Sequence, residues 1–186
     1  MTRADILEAA AQVFRQKGFH GASMNDIAEA VNLQKASLYH HVSSKQEILL
    51  ELLDQAVRML LDRISLIASQ DISADNKLRL MIHEYMRILA ENSDLATVLL
   101  FEHRALERKL HARHIPNRDK FELLWRDVLT AGVDNKIFMC DDIPLTVRAL
   151  LGLMNWTITW YRPNGDKSIQ KIADNYSDLL LNGLLK

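Results

Sequence analysis

Cysteine is nearly absent from this chain. Cys140 stands alone, which excludes a disulfide framework within the chain and any cysteine-rich zinc module, and it fits a reducing compartment. Only three prolines and six glycines punctuate 186 residues, and alternating runs of β-branched residues are missing, so strands are not expected and nearly everything reads as helix. No stretch approaches the roughly 20 apolar residues that would cross a bilayer. The opening MTRADILEAA carries an acidic residue and no apolar core of signal length. Together these absences predict a cytoplasmic protein with no membrane partner. Charge of one sign is lacking too: 23 Lys and Arg against 24 Asp and Glu give a net charge of −1, not the basic excess expected of a nucleic-acid binder. Nor is there a Gly-rich phosphate loop, a Gly-x-Ser-x-Gly elbow or a Cys/His pair at motif spacing, so no catalytic residue and no cofactor is expected.

What is present is helical periodicity and, at 48% hydrophobic residues, ample material for a core. The stretch SMNDIAEAVNLQKASLYHHVSSK, Ser23 to Lys45, organises the rest. Ser23 followed by Asp26 offers an N-cap and a first-turn carboxylate, and Ile27, Ala28 and Val31 then share one side. Asn32, which tolerates a left-handed turn, marks the break. A second short segment, Lys35 to His41, turns Leu38 inward and leaves Lys35, Ser37, Tyr39 and His40 outward. Ser43 with Gln46 and Ser44 with Glu47 form two overlapping capping boxes that open a long helix. This is a helix-turn-helix, with the second segment as recognition helix. A preceding helix, opened by Thr2 and Asp5 and ended at Gly18, carries Ile6, Ala9, Ala10, Val13 and Phe14 as scaffold. Arg3 lies at its start, within reach of a phosphate or simply solvated.

Arg3, Ile6-Leu7, Ala9-Ala10, Phe14, Gly18-Phe19, Asp26-Ile27-Ala28, Leu38-Tyr39-His40-His41 and Ser44-Lys45 resemble the N-terminal signature of the bacterial TetR-type transcriptional regulators, over about the first quarter of the chain. The resemblance implies a double-stranded DNA operator as partner. It also implies that Gln34, Lys35, Ala36, Ser37, Tyr39 and His40 face the DNA, with Ser23, Met24, Tyr39 and Lys45 mainly on the backbone. Three positions depart from the pattern: Asn32 replaces the usual Gly, Gln34 the usual Ser or Thr cap, and Val42 the usual Phe. A poorer cap frees the Gln34 amide to read an adenine edge.

Beyond the head, about nine helices in all are expected: an all-α fold with a helix-turn-helix domain over residues 1–45 and an effector-binding and dimerisation domain over 46–186. The fourth helix runs from Lys45 to about Ser69, roughly 37 Å, a rod that would tilt the head if its far end were displaced. Helices are then expected around Leu78–Leu89, over Leu95–Leu110, over Asn117–Val133, from Ile143 to Tyr161 and after the Ser168 cap. In FEHRALERKLHARH, residues His103, Glu107 and His111 sit four apart, which reads as a solvated face with i,i+4 pairs rather than as a metal site. Arg104 and Arg108 present a cationic edge.

The helix Ile143–Tyr161 is apolar nearly all round. Leu150, Leu151, Met154, Ile158 and Tyr161, with Ile172, Tyr176 and Leu180 of the last helix, are therefore assigned to a four-helix seam with a second copy, and Gly152 allows close approach. The residues from Leu151 to Pro163, with Ser168, Ile172-Ala173 and Tyr176, are similar to a TetR subgroup that regulates fatty-acid or steroid catabolism, several of whose members sense acyl-CoA thioesters. That similarity implies a small hydrophobic effector in a cavity lined by Met59, Met81, Tyr85, Phe101, Phe121, Trp125, Asn155 and Trp156, with Arg104, Arg108 or Arg162 for an anionic head. Three functions follow: a dimeric repressor released by its effector, a partner-binding adaptor that uses the head without an effector, and a small hydrolase or transferase using the His-rich segment.

Overall fold

A computed structural model describes residues 2–184, which form helices and no strand. The helices are α1 (Arg3–Gly21), α2 (Met24–Ala30), α3 (Lys35–Leu38), α4 (Lys45–Ala68), α5 (Ala74–Glu91), α6 (Ser93–Thr97), α7 (Arg108–Asp134), α8 (Ile143–Trp160) and α9 (Ile169–Leu184). The chain packs as two units. One takes the residues up to Arg58 together with Asn92–Arg118, and the other takes Met59–Glu91 together with Asp119 onward. Packing therefore does not divide at residue 45: the start of α4, α6 and the start of α7 belong with the head.

In the first unit, Thr2 caps α1 in a capping box with Asp5, and Ile6, Ala10 and Phe14 recur along one side to meet the core. Gly18 interrupts the helical geometry at φ 70°, a conformation that costs glycine nothing, and one more turn follows to Gly21. Ile27 of α2, Leu38 of α3 and Ile48, Leu49, Leu52 and Leu53 of α4 close the same core, joined by Val98, Leu106 and Leu110. The α2–α3 break falls at Asn32, whose φ of 54° is the left-handed turn expected there.

The expected helix Leu95–Leu110 does not form as one piece. α6 ends at Thr97, a π-helical turn covers Val98–Glu102, a 3-10 turn covers His103–Ala105, and Leu106 is extended. Thr97 Oγ1 bonds back to the Ser93 carbonyl at 2.7 Å, the local competition by which β-branched hydroxyl residues disturb helices. His103, Glu107 and His111 consequently do not share one helix face. α7 then begins at Arg108, ahead of the helix expected over Asn117–Val133, and runs through Pro116. The proline removes one helical hydrogen bond, but His114 Nδ1 and Asn117 Nδ2 both reach Asp54 of α4, at 2.9 and 3.4 Å, and hold the turn in place.

The second unit packs α5 against α8 and α9 around Leu78, Met81, Tyr85, Trp125, Leu129, Val147, Leu150, Met154, Ile172 and Leu181. Arg79 pairs with Asp178 at 2.8 Å and His83 with Asp174 at 3.3 Å along the α5–α9 seam. Asp142 caps α8 by accepting from Leu145 N–H at 2.9 Å, with Pro144 in the first turn where it breaks no hydrogen bond. Ser168 Oγ accepts from Lys171 N–H at the start of α9.

Candidate nucleic-acid interface and ligand-binding core

The helix-turn-helix is held by interactions its own sequence supplies. Ser23 Oγ accepts from Asp26 N–H, while Asp26 Oδ2 accepts from Ser23 N–H at 2.7 Å. Lys17 Nζ lies 2.6 Å from Asp26 Oδ1. The lysine contact and the Ser23 hydrogen bonds hold this carboxyl well below its ordinary range, at about 2. Ser23 is thus committed to its cap. The Met24 side chain is buried, which leaves its backbone, at the start of α2, for any phosphate. α3 is only one turn long, but Tyr39 continues in helical geometry and His40 and His41 N–H bond back to Ser37 and Leu38 carbonyls. Lys35, Ala36, Tyr39 and His40 are exposed and Ser37 is half-buried. Gln34 stands at the N-cap with no side-chain capping bond, so its amide is uncommitted, as its replacement of Ser or Thr implies.

Two residues expected on phosphates are occupied elsewhere. The Arg3 guanidinium grips both carboxylate oxygens of Glu51 and also donates to the His41 carbonyl. Lys45 Nζ donates to the carbonyls of Phe19 and Ala22, at 2.7 and 2.6 Å, and sits 4.4 Å above the Phe19 ring. Lys45 is therefore a clamp on the end of α1, where a cation meets unpaired carbonyls and the negative end of the helix dipole. On the other side of the same residue, Phe19 N–H donates to Glu102 Oε2 at 3.1 Å. Lys45→Ala is expected to lower stability by about 1–2 kcal/mol in urea unfolding, because two partly buried carbonyls lose a charged donor. A variant that lost operator affinity at unchanged stability would show that Lys45 acts on DNA alone. The Ser43–Gln46 box does not form: Gln46 Nε2 donates to the Ala105 carbonyl and its Oε1 accepts from Glu107 N–H, while Ser44 Oγ accepts from Glu47 N–H as expected.

Of the residues assigned to an effector, the structure gathers five in the second unit. Tyr85 stacks on Phe121 at 5.7 Å and meets Trp125 edge-on at 5.8 Å, and Phe121 meets Trp125 at 6.2 Å. The Tyr85 hydroxyl donates to Asn155 Oδ1 at 2.5 Å, and Met81 lies one turn before Tyr85, fully buried. Burial pushes the Tyr85 hydroxyl far above its ordinary range, so it stays neutral. Met59 is half-buried. Trp156 is not in this cluster: it is 65% exposed on α8 and belongs to an open surface. An open groove of about 830 Å³ in the same unit is lined by other residues, among them Ser65, Ser73, Lys77, Leu124 and Asp127.

Phe101, Arg104 and Arg108 lie in the first unit, all exposed, on the π turn, the 3-10 turn and the start of α7. Burial lowers the pKa of the neighbouring His103, and the charges of Arg104, Arg118 and His111 lower it further against the Leu99 carbonyl. Among the described residues no group of three or more His, Cys, Asp or Glu side chains is placed to hold a metal ion.

The seam assigned to a second copy is only partly available. Leu150, Met154 and Ile172 are buried within the protomer, and Leu151, Ile158, Tyr161, Tyr176 and Leu180 are half-buried. The free apolar surface of α8 is its opposite stripe, Leu145, Ala149, Gly152, Trp156 and Trp160, continued by Leu179 on α9. The sequence showed that α8 was apolar on both sides. It did not show which side α5 and α9 would cover.

A capped helix-turn-helix carried on a separate all-helical body defines a DNA-binding transcriptional regulator. Comparison with known proteins places it further. Residues 6–52 match the family described as bacterial regulatory proteins, tetR family, and residues 71–184 match the tetracyclin repressor-like C-terminal domain. The HTH-type transcriptional repressor KstR2 of Mycobacterium tuberculosis is 27% identical over 99% of this chain and 93% of its own length. The crystal structure of the TetR family regulator PfmR from Thermus thermophilus superposes with a TM-score of 0.88 at 34% identity, covering 97% of this chain and 99% of that one. The structure of AibR in complex with isovaleryl coenzyme A and operator DNA, at 22% identity and TM-score 0.90 over 96% and 97% of the two chains, shares the fold. The chain belongs to the TetR family of bacterial transcriptional regulators. No helix among the described residues is long and apolar enough to cross a membrane.

Proposed function

We propose that this protein is a repressor that binds a near-palindromic operator as a homodimer and is released by a small hydrophobic effector, an acyl-CoA thioester. The observation that carries the DNA half is the recognition turn itself. Gln34, Lys35, Ala36, Tyr39 and His40 face outward on a short turn that follows the capped helix α2, with the Gln34 amide free to reach a base edge. A near-neutral chain gains little from diffuse charge, so affinity must come from these placed contacts, doubled by a second head.

The effector half is supported by the buried Tyr85–Phe121–Trp125–Asn155 cluster of the second unit. Named relatives point the same way: KstR2 is a repressor, and AibR was crystallised with an acyl-CoA and its operator. A ligand shifts the DNA equilibrium only by its differential affinity for the free and DNA-bound forms. α4, continuous from Lys45 to Ala68, is the element through which such a difference would reach the head.

The test is operator binding to the intergenic DNA beside the protein's own gene, with and without a series of acyl-CoA esters of rising chain length. Binding to one duplex over random competitor, weakened at least tenfold by a subset of the esters, is expected. Specific binding untouched by every ester would instead favour the adaptor that lacks an effector.

A further inference from the structure

Buried polar atoms without partners are uncommon in native structures, and each asks for an explanation. Trp125 Nε1 is such an atom: the residue is fully buried, and its indole N–H has no hydrogen-bond acceptor. The group is a donor only and cannot be satisfied by rotating in place. Its ring meets Tyr85 and Phe121, and the Tyr85 hydroxyl bonds Asn155, whose Nδ2 is not itself a buried unpartnered atom. Asn155 Oδ1 is occupied by the Tyr85 hydroxyl, which burial keeps neutral and donating, so the amide oxygen is taken. Among the described residues nothing accepts from the Asn155 Nδ2 protons, and Asn155 is half-buried. The remaining surroundings are the Tyr85 and Phe121 rings and Met81, all apolar. The adjacent cation, Arg126, is neutralised through Nη2 by Glu122 along α7, although its Nε is also buried without a partner.

We propose that Trp125 Nε1 and Asn155 Nδ2 read a neutral carbonyl oxygen of the effector, so that the second unit recognises an apolar molecule through a thioester or ketone and not through a carboxylate. Two neutral donors in an apolar wall satisfy one uncharged acceptor. A carboxylate in the same place would lose its hydration with no counter-ion, which costs far more than two neutral hydrogen bonds return. A plain hydrocarbon would leave the buried Trp125 Nε1 unpaired, so the carbonyl is the feature that distinguishes the ligand from any other oily molecule of equal size. This inference rests on the effector reading above and specifies the chemistry of its site.

Titration calorimetry of the full chain with decanoyl-CoA and with S-decyl-CoA, which lacks only the carbonyl oxygen, tests it. The wild type should bind the thioester about tenfold more tightly than the thioether, the worth of a buried hydrogen bond. Trp125→Phe and Asn155→Asp, the latter keeping an acceptor for Tyr85, should each erase most of that preference and change thioether binding little. In a Trp156→Phe/Trp160→Phe background, thioester but not thioether should move the Trp125 emission to longer wavelength, a readout that loss of packing would not mimic. Equal binding of both ligands by the wild type, or an unchanged preference in both variants, would overturn the carbonyl assignment and leave the effector reading standing. Binding of neither ligand would overturn both.

Discussion

Glutamate at Leu145 and Trp156 together is expected to yield folded monomers whose operator affinity falls about a thousandfold, toward the level of non-specific binding. The two residues are 60% and 65% exposed on the α8 stripe, and the opposite face of the helix, through Val147, Leu150, Met154 and Thr157, is already buried in the protomer. Charges placed on the stripe therefore do not enter the core. They would, however, face like charges across a two-fold interface, where a patch meets its own copy. A Cβ added at Gly152 meets nothing within 4 Å, so this part of the stripe is open to close approach by another chain. Exposed apolar stripes of this kind mark interaction surfaces. Sedimentation and operator titration on the same sample decide the matter. A double variant that stays dimeric would move the interface elsewhere on the body, whereas monomers with full operator affinity would remove dimerisation from DNA recognition.

The second large effect lies at Gly132→Ala, which should destabilise the second unit by about 3 kcal/mol, at the upper end for overpacking. An added Cβ would stand 2.1 Å from Phe138 Cδ2 and 2.4 Å from its Cε2, and Phe138 is 2% exposed. The backbone cannot retreat, because the Gly132 carbonyl accepts from both Ile137 and Phe138 N–H as the chain leaves α7. Lys136, just before them, already sits at φ 59° to complete this turn. In a Phe138→Ala background, itself destabilised by loss of a buried ring, urea unfolding should show Gly132→Ala costing little more. If the two losses simply added, the steric account would be wrong.

Much of the head was legible because its signals are local. Thr2 with Asp5, Ser23 with Asp26 and the turn at Asn32 each depend on a few neighbouring residues, and each is where the sequence placed it. Most of the departures involve partners distant in sequence. Leu95 to Leu110 has helical periodicity, yet Glu102 turns to the Phe19 amide and Gln46 engages the backbone at Ala105 and Glu107. The helix expected to begin at Asn117 begins at Arg108 instead, and Asp54 holds α7 on either side of Pro116. Arg3 and Lys45 have the charge and position of phosphate contacts, and only tertiary structure shows them committed to Glu51 and to the end of α1. In the second unit, periodicity brought Tyr85, Phe121 and Trp125 to inward faces, with Asn155 against the Tyr85 hydroxyl. Trp156, one residue beyond Asn155, points the other way, because a helix turns about 100° per residue.

The backbone at Phe19 is gripped from both sides, its carbonyl by Lys45 and its amide by Glu102. Val98, Leu106 and Leu110 likewise complete the apolar cluster beneath the amino-terminal helices. The reading head is therefore not a portable cassette. Excised after its third helix, it would leave behind the anion and the apolar side chains that finish its last turn, and grafting it onto a foreign body would require carrying the 92–118 segment along.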